Sequence, residues 1–338
     1  MSSRSSNFEL LRLVAMMLVM LVHANYLSLG SVTQAELQAT PFSGFVRILC
    51  EQLCIVSVNL FILISGWFGL RPTIKKLASL LFQILFIGLA TVEMCRLSGV
   101  EVPVKAFNDL LYFGASYWFV PSYLILFCLA PVLNAYCEKA SKRDFALLLC
   151  GYFALEMLFG WLTYDYGNYA RGYSALSFIG LYLLAQYVRR YGERLRALKW
   201  WQCVLFYLLF TAIPTLISLF GIYTKGKELG ATMYSSLFVV GASLSLFLLF
   251  DKFNFKSGVV NWLASSAFAI YLVHQAPGAF NLYQELFSTA YNSMHGAWFI
   301  CFALGAVVVI GLMSILLDKV RLLLWTAVVK VSEKIVHS

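Results

Sequence analysis

The chain has 338 residues, 61% of them hydrophobic and only 12% charged, with a mean hydropathy of +0.79. Apolar runs of about twenty residues recur along its whole length, which excludes an ordinary soluble globule and points to a polytopic helical membrane protein. The formal net charge of +9 does not indicate nucleic-acid binding, because the lysines and arginines cluster in short connections between apolar runs, where they set orientation.

Uninterrupted apolar stretches predict ten transmembrane helices, at about 8–28, 43–69, 74–97, 116–137, 144–163, 174–190, 200–223, 231–250, 259–275 and 297–317. No connection exceeds about twenty residues, so residues 1–338 read as one integral-membrane domain. The expected fold class is all-α, a bundle of about ten transmembrane helices. With the N-terminus inside, eighteen lysines and arginines fall on inner segments, against Lys105, Arg171, Lys225 and Lys227 on outer ones. That bias predicts cytoplasmic N- and C-termini. The tail 318–338 alternates charged and apolar residues and is expected to lie along the inner membrane face.

The first helix, "NFELLRLVAMMLVMLVHAN", carries Arg12 near its start and His23 near its end. Eleven residues at 100° each bring the two to within about 20° of one face, roughly 16 Å apart along the axis. One reading is that Arg12 snorkels to inner headgroups while His23 caps the span at the outer interface. The other is a polar track, with Arg12 holding an anionic group inside and His23, whose ordinary pKa lies near 6.5, serving as a general base outside. Glu51, Asn59, Gln83, Glu93, Asn134, Glu156 and Gln186 are costly facing lipid and are expected to face the bundle interior, as cavity lining or as interhelical glue. Among them Glu51 is the carboxylate that could orient His23.

Three later segments add candidates. "VNLFILISGWFGLRPTIKK" ends the second helix on Ser65-Gly66 and two aromatics, and its Arg71, Lys75 and Lys76 could clamp phosphates or simply set topology. In "ASYWFVPSYLILFCLAPVLN", Tyr117, Trp118 and Phe119 suit either an aromatic belt or the floor of a carbohydrate site. "NWLASSAFAIYLVHQAP" places Ser265 and Ser266 inward and ends on His274, a second candidate base. The loop "TYDYGNYARGYS" offers tyrosines, Asp165 and Arg171, which fit a polar glycan or an interfacial loop. His295 and His337 are assigned no role.

Four of these stretches, "NFELLRLVAMMLVMLVHA", "VNLFILISGWF", "YWFVPSYLILFCLAPVLN" and "SSAFAIYLVH", resemble in order and spacing the bacterial integral-membrane acyltransferases of acyltransferase family 3. The similarity extends to the surface-polysaccharide O-acetyltransferase branch and spans roughly residues 5 to 320. It implies transfer of an acyl group, usually acetyl from cytoplasmic acetyl-CoA, to a hydroxyl of a cell-surface polysaccharide or lipid-linked glycan, in the inner (plasma) membrane of a bacterium. By position, His23 would be the general base and Arg12 would help place the donor. Arg71, Lys75 and Lys76 would meet the CoA phosphates, although the family's basic motif often has two arginines here. On the acceptor side the expected substrate contacts are Glu51, Tyr117, Trp118 and His274, with no metal. The rival expectation is a secondary transporter or glycan flippase with Arg12, His23, Glu51 and Glu156 as its polar pathway; the absence of a convincing internal repeat counts against it.

Overall fold

The computed structural model describes residues 5–112, 117–163, 168–230, 232–294 and 296–336, and among these the regular structure is all helical, with no strand. In chain order the helices are α1 (Ser6–Val22, continued by a π-helical turn His23–Leu27), α2 (Gln34–Ala39), α3 (Pro41–Cys54), α4 (Ser57–Phe68), α5 (Ile74–Leu97) and α6 (Val104–Leu111). There follow α7 (Phe119–Lys139), α8 (Lys142–Leu155, continued by a π-helical turn Glu156–Leu162), α9 (Ala175–Tyr191), α10 (Glu193–Arg196) and α11 (Trp200–Lys225). The last are α12 (Leu237–Asp251), α13 (Gly258–Ala264), α14 (Ala267–His274), α15 (Ala279–Ser293) and α16 (Ala297–Val336).

Among the described residues seven rods are long and apolar enough to cross a membrane: α1, α3 with α4, α5, α7, α8, α11 and α16. The remaining predicted spans coincide with shorter helices: α9, α12, and α13 with α14. Local sequence sets many of the starts. Thr73, Ser141, Ser174, Ser236 and Ser257 each accept a backbone N–H three residues on, the N-cap geometry that satisfies a helix's first donors. Rods α3–α4 and α13–α14 break mid-span, at Ile55–Val56 and Ser265–Ser266. Around the first break the neighbours supply donors: the Tyr207 hydroxyl donates to the Leu53 carbonyl at 2.6 Å and Ser243 Oγ to the Val56 carbonyl at 3.4 Å. Such substitutes make broken helices tolerable in lipid.

At the centre of the bundle lies α1, touching α3, α4, α12, α13, α14 and α16. Its Leu11, Ala15 and Met20 are completely buried. Beside it α4 packs on α9 through Gly66: a Cβ there would stand 2.5 Å from the Tyr182 carbonyl oxygen and 2.9 Å from its Cα. Backbone cannot retreat from such a contact, so Gly66→Ala is expected to destabilise the protein by about 1–3 kcal/mol, read as a lowered melting midpoint in detergent.

One expectation is corrected. Glu93 does not face the interior; it lies exposed about one turn from the end of α5, paired with Arg96 at 2.7 Å in an i,i+3 bridge that polar surroundings tolerate. After residue 317 the chain continues the same helix: no glycine or proline interrupts 312–336, and α16 runs on to Val336. Within it Asp318 and Arg321 are buried as an ion pair at 2.8 Å, and Gln83 Nε2 donates to Asp318 Oδ1 at 2.9 Å. His295 and His337, together with Asp165, lie outside the described residues.

Candidate active site

Arg12 and His23 both sit on α1, and four cavities, each sharing wall residues with the next, line up from one to the other. The first, of about 460 Å³, is basic and lined by Arg12, Ser65, Gly69, Arg71, Lys76 and Tyr123. Gly69 ends α4 at φ +73°, a conformation that favours glycine, and turns the chain toward Arg71. Asn134 and Tyr182 hold that turn: Asn134 Nδ2 donates to the Leu70 carbonyl at 2.8 Å, and the Tyr182 hydroxyl accepts from the Leu70 N–H at 2.9 Å while donating to Asn134 Oδ1 at 2.7 Å. Lys76 Nζ donates to the Arg71 carbonyl at 2.8 Å, whereas Lys75, also exposed, is not part of the cavity wall.

The second cavity, about 220 Å³, shares Arg12, Ser65 and Tyr123 with the first and adds Gln83, Ser265 and Phe268. Arg12 is one-third exposed, and its Nη1 pairs with Glu9 Oε1 at 2.8 Å. Beyond lies a collar of about 20 Å³, little more than one water, formed by Met16, Val19, Phe61, Phe119, Phe268 and Tyr271 and ending at His23.

On the far side of the collar a chamber of about 580 Å³ opens, with His23, Glu51, Trp118, Arg171, Tyr173 and Tyr234 in its wall. Three rings cluster there: the Tyr173 centroid lies 4.5 Å from that of Trp118 and 4.8 Å from that of Tyr234. The loop that presents Arg171 and Tyr173 is strained, since Asn168, Ala170 and Arg171 all have positive φ. Gly172, at φ +95°, is required in it: a Cβ would meet the Tyr234 Cβ at 2.4 Å. Glu228 also lines the chamber; burial pushes its carboxyl above the usual range, against the pull of Arg47.

His23 begins the π-helical turn of α1, a distortion that recurs at functional positions. It is 7% exposed. Its Nδ1 lies 2.9 Å from His274 Nε2 and 2.8 Å from the side-chain amide of Gln275, and His274 Nδ1 lies 2.5 Å from the Ile270 carbonyl oxygen. Glu51 does not orient this imidazole. Its Oε2 accepts from Asn25 Nδ2 at 3.0 Å, and Asn25 Oδ1 in turn accepts from Arg47, which is bound to Glu36 at 2.7 Å. Glu51 and His23 share the chamber but not a bond. Tyr117 is fully buried, donates to the Leu272 carbonyl at 2.7 Å, and so fastens α14 without entering the chamber wall.

Several participants have no signal in the sequence taken alone. Glu9, Glu228 and Tyr234 are ordinary residues until the fold brings them to Arg12 and the chamber. Gln275 alone had a clue, being next to His274.

Seven helices among the described residues long and apolar enough to span a bilayer mark an integral membrane protein. The sequence matches the acyltransferase domain model of acyltransferase family 3 over residues 5–316. The chain therefore belongs to that family, and it is a membrane acyltransferase. No curated protein and no solved structure matches it.

Proposed function

We propose that this protein is an O-acyltransferase of the bacterial inner membrane, which moves an acetyl group from cytoplasmic acetyl-CoA to a hydroxyl of a cell-surface polysaccharide or lipid-linked glycan. The observation that carries this reading is the series of cavities from Arg71 and Lys76 past Arg12 to His23 and the aromatic chamber. In this reading α9, α12 and the α13–α14 pair complete a single ten-span domain with both termini cytoplasmic.

The basic cavity fits the donor: Arg71 and Lys76 offer cationic donors for phosphate, and its side pocket continues inward beside Arg12. Acetyl-CoA supplies an activated thioester. His23 takes the proton of the attacking glycan hydroxyl and returns it to the departing thiolate, so no net proton is left on the enzyme. Arg12, already held by Glu9, steadies the donor arm short of the collar. Trp118, Tyr173 and Tyr234 offer ring faces to the apolar face of a sugar, while Glu51 and Glu228 offer acceptors to its hydroxyls. The sugar contact expected of Tyr117 falls to Tyr173 and Tyr234. Trp118→Ala is expected to raise KM for the glycan about tenfold, the loss of roughly 1.5 kcal/mol of apolar contact, with donor KM unchanged.

A carrier using Arg12, His23, Glu51 and Glu156 is less well supported, because Glu156 lies in the π-helical turn after α8 and lines none of the four cavities. The deciding experiment is purified protein in nanodiscs of host lipid extract, supplied with labelled acetyl-CoA. Release of CoA with label appearing in glycan, and loss of an O-acetyl resonance from the polysaccharide of a deletion strain, are the expected results. Glycan movement without CoA release would overturn the proposal in favour of a carrier.

A further inference from the structure

Both imidazoles of the pair on α1 and α14 are buried, His23 at 7% and His274 at 2% exposure, yet only one of them borders the cavities. Hydrogen-bond bookkeeping then fixes their protons. A carbonyl oxygen can only accept, so His274 Nδ1, 2.5 Å from the Ile270 carbonyl, carries its proton. A neutral imidazole has one N–H, which leaves His274 Nε2 with a lone pair. That lone pair faces His23 Nδ1 at 2.9 Å, a separation that requires a proton between the two nitrogens. His23 therefore carries its proton on Nδ1, and its Nε2 is bare.

Two alternatives fail on the same geometry. Were His274 doubly protonated, a cation would sit among Tyr271, Tyr283 and the His23 ring, and neither histidine has an ion-pair partner among the described residues. Were His23 Nδ1 to accept from the Gln275 amide N–H, two lone pairs would oppose each other at 2.9 Å. The consistent arrangement has the Gln275 amide turned by half a rotation, so that its oxygen, 2.8 Å away, shares the Nδ1 proton.

We propose that His274 is neither a second base nor a substrate contact, but the positioning residue that holds His23 in the Nδ1–H form with Nε2 bare toward the chamber. The chain of contacts runs from the Ile270 carbonyl through His274 to His23, so that the helical backbone of α14 dictates which nitrogen of a ring on α1 can accept a proton. Nε2 has no hydrogen-bond partner among the described residues, and a hydroxyl entering the chamber meets a lone pair there. The Tyr117 hydroxyl, bound to the Leu272 carbonyl, keeps α14 at the required distance. This inference rests on the acyltransferase reading for its kinetic consequence, but not for the tautomer itself.

The test therefore has two arms, both on the full chain in nanodiscs of host lipid extract. In the first, ¹⁵N NMR of histidine-labelled protein reads the tautomer without any turnover; the chain has four histidines, so single His→Gln variants assign His23. The expected spectrum shows His23 protonated at Nδ1 in the native protein and in His274→Gln, whose amide oxygen reaches the Nε2 position, but mainly at Nε2 in His274→Ala. In the second arm, with acetyl-CoA as donor, kcat for CoA release falls ~10²-fold or more in His274→Ala and His274→Asn, at unchanged donor KM, and His274→Gln recovers most of it. A native His23 protonated at Nε2, a kcat in His274→Ala equal to the native value, or a raised KM at constant kcat would each overturn the proposal. Native CoA release that survived His23→Ala would instead refute the role of His23 as base, leaving the NMR arm to judge the tautomer.

Discussion

His23→Ala is expected to lower kcat for acetyl transfer by ~10²- to 10⁴-fold, the range a positioned general base contributes, while KM for acetyl-CoA stays within about twofold. The split follows from where the ring sits. His23 lies beyond the collar from Arg12, Arg71 and Lys76, so removing it takes nothing from the basic cavity. The variant should also fold, since the imidazole's hydrogen bonds and ring contacts among the described residues are with His274, Gln275 and Phe280, while the helix's packing rests on Leu11, Ala15, Met16 and Met20. Labelled acetyl-CoA in membranes, with a melting curve on the purified variant, checks both halves. A normal transfer rate in His23→Ala would remove the histidine from the chemistry.

Charge at the other end should act oppositely. Arg71→Ala combined with Lys76→Ala is expected to raise KM for acetyl-CoA roughly 10- to 100-fold with little change in kcat, because both side chains line the cavity and, being exposed and screened by solvent, are together worth about 1.5–3 kcal/mol. Lys75→Ala serves as the internal control: its side chain is exposed but outside that wall, so a shift of at most about twofold is expected. Raising the salt concentration should weaken donor binding in the native protein and much less in the double variant. An unchanged donor KM in the double variant would take both residues out of donor binding.

Much of this architecture is legible in the sequence because a bilayer leaves so few options. Apolar runs of the right length place α1, α5, α7, α8 and α11 to within a few residues, and a helical spacing of eleven puts Arg12 and His23 on one side of α1. What periodicity cannot carry is contact between distant segments. Glu51 looked like the partner of His23 because a carboxylate is the usual orienting group, but Asn25, only two residues beyond His23, takes that carboxylate instead. His274 was visible as a polar residue at the end of an apolar run, yet its ring facing His23 depends on the break at Ser265–Ser266 and on the Tyr117 bond to α14. The same limit hid α15, whose fifteen residues mix polar and apolar side chains and read as a loop until Tyr283 is seen donating to the Met20 carbonyl at 2.6 Å. Glu93 failed for a simpler reason: a pattern of runs does not tell the middle of a helix from its last turns.

The collar of Met16, Val19, Phe61, Phe119, Phe268 and Tyr271 has a consequence for the cell as well as for the substrate. A continuous watery channel across an energised membrane would short-circuit it, because each elementary charge crossing 100 mV releases about 2.3 kcal/mol. A space that holds little more than one water, walled mostly by apolar side chains, has no room for a hydrated ion. The protein can thus hold charged groups at the two ends of the cavity series, Arg71 and Lys76 in one and Glu51 and Glu228 in the other, with a mostly apolar partition between them.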